Sequence, residues 1–351
     1  MAITYKSGRR IQATSTDFAG IPAVAGGWKE IGRTTSGSTI TDLDVTGFGD
    51  KRYYMVLGNL LHNGSQDVTM RCGQASTLDT GSNYASRRSE NGGSDATSVS
   101  RPNMILADIQ SSTQSFGVNY FVNKSTKEKL QQGQMIYQGT AGAANAPERT
   151  ETVNKWTNTS NALDSLSYDQ GSWLSGSEIV VLGWDPTDTH TTNFWEELAD
   201  ISLTSTNTSL DSGTFTAKKY LWVQMYQKGM VGNNTLYNFN SDTGSNYARR
   251  WDIDGGTEFT TGSTTGLMCH NAVGTQTDNF FNMFIVNNSA NEKLVISSSV
   301  YTISTGSSSP PSREEHVGKW DNTSSQITSI QFDHGGSNFG IGSAIKVWGS
   351  D

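Results

Sequence analysis

The chain has 351 residues, 34% of them hydrophobic and 10% aromatic, with a formal net charge of −8. This length exceeds one ordinary core and suits two domains of about 150 residues, and the acidic balance argues against broad binding to nucleic acid or anionic membranes. Gly is frequent (37) and Pro scarce (6), and good helix formers rarely occur in runs, so the composition predicts an all-β fold of short strands and loops.

Residues 1–25 stand apart from the rest. Met1–Lys6 has no apolar core of a secretory signal, which predicts synthesis in the cytoplasm without Sec export. Lys6, Arg9 and Arg10 cluster among Ser, Thr and Gln. They read either as a lightly packed tail or as a basic arm that docks on an acidic neighbour.

From residue 26 the chain repeats itself. Trp28-Lys29-Glu30-Ile31 returns as Trp195-Glu196-Glu197-Leu198, and Tyr53–Gly58 returns as Tyr220–Met225, each copy behind a basic pair. Apolar runs this short suit strands buried on both faces. Thr39–Val45 alternates polar and apolar residues, the period-2 signal of a half-buried strand. Gly81-Ser82-Asn83-Tyr84-Ala85 recurs as Gly244-Ser245-Asn246-Tyr247-Ala248. We read it as framework, with a tight Gly turn, an Asn satisfying loop backbone and a Tyr filling the sandwich edge. Asn123, Ser125, Glu128, Lys129 and Leu130 match Asn287, Ser289, Glu292, Lys293 and Leu294, as a hairpin connection would. Lys155-Trp156 matches Lys319-Trp320, and the closing strands end at Leu182-Gly183 and Trp348-Gly349. The expectation is two tandem antiparallel β-sandwich, jelly-roll-like domains, 26–188 and 189–351, behind the arm 1–25. Asp185–Asp188 is the linker, short enough that the domains touch.

The residues that carry chemistry are scattered. His62, His190, His270, His316 and His334 share no repeat position and no metal-binding spacing. Cys72 and Cys269 are not repeat equivalents either, which predicts two buried free thiols. Neither a nucleophile elbow nor a phosphate-binding loop occurs. Asp42/Asp44 and Asp252/Asp254 are weak, unrepeated pairs that suit loop chemistry better than calcium. Glu128/Glu292, Glu151/Glu315 and Asp169/Asp333 are repeated acids that we place at turns, and Glu178 lies on a closing strand whose repeat counterpart is Ala344, so the paired carboxylates of a glycosidase are not met. The expectation is a protein that is not an enzyme and holds no metal or cofactor. Trp156 and Trp320 fit core packing or, if exposed, stacking on a glycan. Arg149 and Arg313, each two residues before a Glu, fit an ion pair or a contact to a glycan or another subunit.

Asn240–Tyr247, Trp320-Asp321-Asn322-Thr323-Ser324 and the closing Gly342-Ser343-Ala344-Ile345 strand together resemble tailed-phage virion structural proteins. The resemblance spans about residues 26–351. It departs at Trp348-Gly349 and Leu182-Gly183, where that family has Tyr-Gly. It implies a non-enzymatic capsid decoration or cement protein on the outer particle surface, assembled in the host cytoplasm. The implied partners are other virion proteins (the major capsid protein or tail components) and further copies of the chain, with neither nucleic acid nor membrane. A tail fibre or appendage, or a carbohydrate-binding receptor-recognition module, is the alternative.

Overall fold

The computed structural model describes residues 27–109, 114–188, 192–229, 233–271, 278–302 and 306–351. The chain is all-β, with four antiparallel sheets forming two sandwiches. In the first repeat the large sheet has eight strands. In spatial order they are Lys29–Thr35, Glu178–Trp184, Tyr53–Leu61, Gln114–Val122, Lys129–Tyr137, Glu148–Trp156, Tyr84–Glu90 and Ala96–Arg101. The second repeat lays its equivalents in the same order: Glu196–Ser202, Ala344–Ser350, Tyr220–Lys228, Asp278–Val286, Lys293–Tyr301, Ser312–Trp320, Tyr247–Ile253 and Phe259–Thr264. Even the bulge in the first strand repeats, between Glu30 and Gly32 and between Glu197 and Ala199.

A smaller sheet covers one face of each large sheet. In repeat 1 it is built on Leu43–Thr46, Ser165–Asp169 and Gln66–Gln74, and in repeat 2 on Ser209–Asp211, Ile330–Asp333, Thr235–Phe239 and Leu267–His270. The alternating Thr39–Val45 stretch is strand only from Leu43 onward, because Ile40 leaves the sheet to make a bridge with Trp173.

Three apolar cores follow from this layering. One lies inside each sandwich. The third lies between the two large sheets, where Met55, Leu57 and Phe116 of repeat 1 meet Tyr220, Phe284 and Leu294 of repeat 2. Strands Tyr53–Leu61 and Tyr220–Lys228 thus have sandwich core on one side and the opposite repeat on the other. That accounts for their continuous apolar runs, which period-2 amphipathicity would forbid.

Candidate functional site

Each repeat is pinned by one half-buried carboxylate. Asp79 accepts from Gly81 N at 2.8 Å, from Asn83 Nδ2 and from Trp156 Nε1 at 2.7 Å. Asp242 accepts from Gly244 N at 2.9 Å, from Asn246 Nδ2 and from Trp320 Nε1 at 2.7 Å. The Tyr84 hydroxyl donates to the Asp79 carbonyl and Tyr247 to the Asp242 carbonyl. Each Tyr ring stacks on its Trp, at 6.5 Å and 6.3 Å. The signal was present in the sequence, an Asp two positions before each Gly of the repeated string. Tyr84 and Tyr247 fill the core rather than the sandwich edge, and both Trp residues are fully buried. Trp156 and Trp320 therefore cannot stack on a glycan from solution. Their hydrogen-bonding need is met by the carboxylate, as a buried indole requires.

Cross-strand register sorts the residues on the outward face of each large sheet into rows. In repeat 1 one end row runs Glu178, Asn59, Phe116, Ile136 and Arg149. The other end row runs Tyr53, Val122, Leu130, Lys155 and Ala85. In repeat 2 the equivalents are Ala344, Tyr226, Phe280, Val300 and Arg313 at one end, and Tyr220, Val286, Leu294, Lys319 and Ala248 at the other. The two repeats join through only one combination, the Phe116 row of repeat 1 against the Leu294 row of repeat 2. Phe116 stacks on Tyr220 at 6.2 Å, and the Tyr220 hydroxyl donates to Glu178 at 2.8 Å. Lys319 donates to the carbonyls of Gln138 and Thr140, at 3.2 and 2.6 Å.

Arg149 closes this contact. It is buried, pairs with Asp252, and reaches Glu258 at 2.8 Å and its strand neighbour Glu151 at 3.1 Å. Arg250 shares Glu258 at 2.5 Å. Arg149 is thus a contact between the two repeats of one chain. Glu151 and Glu315 lie within strands Glu148–Trp156 and Ser312–Trp320, not at turns, because alternation directs them toward the partner sheet. Burial, opposed by Arg149 and reinforced by Glu315 and Asp252, raises Glu151 to about 7. Glu178 goes the other way. It resists desolvation because Thr35, Lys219 and Arg33 bind it, and its carboxyl is held below the usual range.

The unused combination is exposed. Leu130 is 52% exposed and Val122 38%, whereas Leu294 and Val286 are 0%. Phe280 is 43% and Val300 41% exposed, against 1% for Phe116 and 0% for Ile136. Arg313 lies open to solvent beside Glu315. Between the contact and these free faces the large sheets part around a cleft of roughly 540 Å³. It is lined by Arg87, Gln134 and Glu151 of repeat 1 and by Asn282 and Ser298 of repeat 2. A second groove of roughly 670 Å³ lies on repeat 1 alone, over Tyr53, Tyr120, Val122, Leu130 and Val153.

The remaining singled-out residues are placed as follows. Lys6, Arg9, Arg10 and His190 lie outside the described residues. Cys72 and Cys269 are buried free thiols, as expected. His270 and His334 are drawn together inside repeat 2, both bonded to the Thr235 hydroxyl, at 3.0 and 2.9 Å. Burial, with His334 adjacent, pushes His270 down to about 3. Repeat 1 has Ala107 and Gln170 at the matching positions. Asp42 accepts from Gln170 N at 3.0 Å, and Asp252 is committed to Arg149. Among the described residues, no group of three or more His, Cys, Asp or Glu is arranged to hold a metal ion.

The fold and these contacts define an all-β protein of two tandem sandwiches joined face to face. No protein-family model matches the chain, and no curated protein sequence does. Among solved structures, the chain aligns with domains LG4-5 of the mouse laminin α1 chain at 10% identity and a TM-score of 0.21, over 93% of this chain and 92% of that one. Neisserial surface protein A aligns at 6% identity and a TM-score of 0.10, over 81% and 99%.

Proposed function

We propose that this chain is a non-enzymatic structural protein of a tailed-phage virion, a capsid decoration or cement protein on the outer particle surface. The observation that carries the reading is the pair of free faces. The residue types that seal one repeat against the other recur, exposed, on the opposite half of each repeat. Proteins that work by lattice contact need such surfaces, and contiguous exposed apolar patches mark interaction sites. The resemblance to virion proteins supports the same reading, and the basic arm with Lys6, Arg9 and Arg10 suits docking on an acidic capsid partner. Mass spectrometry of purified particles tests it. The chain is expected at a fixed ratio to the major capsid protein, and its absence from particles would overturn the proposal.

The second reading is a glycan-binding receptor-recognition module, favoured by one feature. The groove on repeat 1 offers Tyr53 and Tyr120 beside Arg87 and Gln132, the mix of aromatic and polar groups that sugar rings use. Glycan-array binding lost in Tyr120→Ala would favour it, and silence across a broad panel would count against it.

A further inference from the structure

Each repeat carries both halves of one interface, and the chain uses each half once. The Phe116 row of repeat 1 and the Leu294 row of repeat 2 are joined, while the Leu130 row of repeat 1 and the Phe280 row of repeat 2 are left over. A contact between two unlike surfaces on equivalent modules is heterologous, and such contacts propagate until they close a ring or form an open array.

We propose that a second copy of this chain docks on these free faces, Phe280, Val300 and Arg313 of one copy meeting Val122, Leu130 and Val153 of the next. This names a partner for the assembly role proposed above and rests on that reading for its biological setting alone.

The free halves keep part of the charge complementarity of the formed contact, with Asp95 standing where Glu258 does and Ser89 in place of Asp252. In the formed contact, Arg149 and Arg250 share Glu258. In the free halves the counterparts of Arg250 and Glu258 are Arg87 and Asp95, already paired at 2.9 Å and both exposed. The counterpart of Arg149 is Arg313, whose exposed guanidinium pairs with Glu315 alone among the described residues. An incoming Arg313 would complete at Asp95 the same Arg–carboxylate–Arg arrangement. Lys155 is likewise available: among the described residues it holds only Glu128 at the surface, at 3.1 Å, whereas Lys319 is buried on two carbonyls and Glu292.

The alternative occupant is the chain itself, the two free faces closing on each other. Polarity argues against it. Closure would dry the strip between them, where Gln132, Gln134 and Glu151 face Asn282 and Ser298, and burying amides and a carboxylate away from water is costly. The formed contact buries Val118, Phe284 and Ile296 instead. A second copy leaves the polar strip wet.

Sedimentation velocity on the full chain, up to about 100 μM, tests the proposal in the range where modest interfaces populate. The expected result is concentration-dependent association, weakened at least tenfold by Leu130→Glu and, separately, by Phe280→Glu. Both side chains are exposed, so circular dichroism and Tm should match the parent. Each variant keeps one intact half, so an equimolar mixture should form a 1:1 dimer that grows no further. A parent that stays monomeric throughout would overturn the proposal, as would association that both variants leave unchanged. A monomer whose Tm drops in both variants would also overturn it, since the faces would then be closing within one chain. Absence from particles would sink the virion reading while leaving these self-association results as they are.

Discussion

Leu130 and Leu294 follow the same Glu-Lys pair, open the same strand and face the same side of the same large sheet. One is half exposed and the other is sealed. The same inversion holds for Val122 and Val286, and, in the opposite sense, for Phe280 and Phe116. Residue type and local structure are matched across these pairs, so neither sets burial. The direction of a single contact between repeats does. Two modules of nearly one design thus become one buried seam and two open faces, and a duplicated protein acquires polarity.

The comparison can be broken where the repeats should agree and sharpened where they should differ. The largest effect belongs to the shared framework. Trp156→Ala and Trp320→Ala should each cost about 3–5 kcal/mol, from cavity formation and the orphaned carboxylate of Asp79 or Asp242. Urea unfolding should give similar values for the two, and a silent change in either would end their equivalence. At the seam the repeats should part company. Arg149→Ala leaves Asp252 and Glu258 short of their buried counter-ion and should cost about 3 kcal/mol, while exposed Arg313→Ala should cost less than about 0.5 kcal/mol. Equal losses by chemical denaturation would mean the assigned contact direction is wrong. Leu294→Ala against Leu130→Ala probes the same asymmetry without charge, with about 2 kcal/mol or more expected for the first and under about 0.5 kcal/mol for the second.

Acid should weigh more on repeat 2 than on repeat 1, where burial lowers His62 in the same direction. His270 binds a proton less readily folded than unfolded, so its stabilising contribution is complete above about pH 6.5 and falls as pH drops toward 3. Between pH 7 and pH 4 it should remove roughly 2–3 kcal/mol, and His270→Gln should flatten that part of the profile in urea titrations. Repeat 1 has Ala107 in this place. Glu151 has the opposite sign. Its folded pKa lies above the unfolded one, so it favours the fold fully below about pH 4.5 and loses that advantage as pH rises through about 7. Glu151→Gln should therefore stabilise the chain by about 1 kcal/mol at pH 8, less than the losses expected at Trp156, Arg149, Leu294 and His270.

How much of this was legible without coordinates differs by feature. The repeats, their strands and the framework role of Gly-Ser-Asn-Tyr could be read because they are written twice, and two independent copies preserve a pattern that one would hide in noise. Asp79 and Asp242 are equally duplicated, yet their role is not legible in the sequence. An Asp in a turn has an ordinary explanation, and only the fold brings an indole nitrogen to it from a strand 77 positions away. Glu151 and Glu315 were misplaced because turn-like composition around them masks a strand whose polar residues point at another sheet. For the same reason Arg149 and Arg313, alike in sequence, gave no hint that one would be buried among four carboxylates.

The amino-acid sequence by itself determined that this is an all-β chain of two copies, because short-range alternation, turn chemistry and duplication are local properties that need no third dimension. Which outward face of each copy is core and which remains free was decided only by the tertiary structure. Both copies carry both faces, and burial belongs to a contact between surfaces rather than to the residues that compose them.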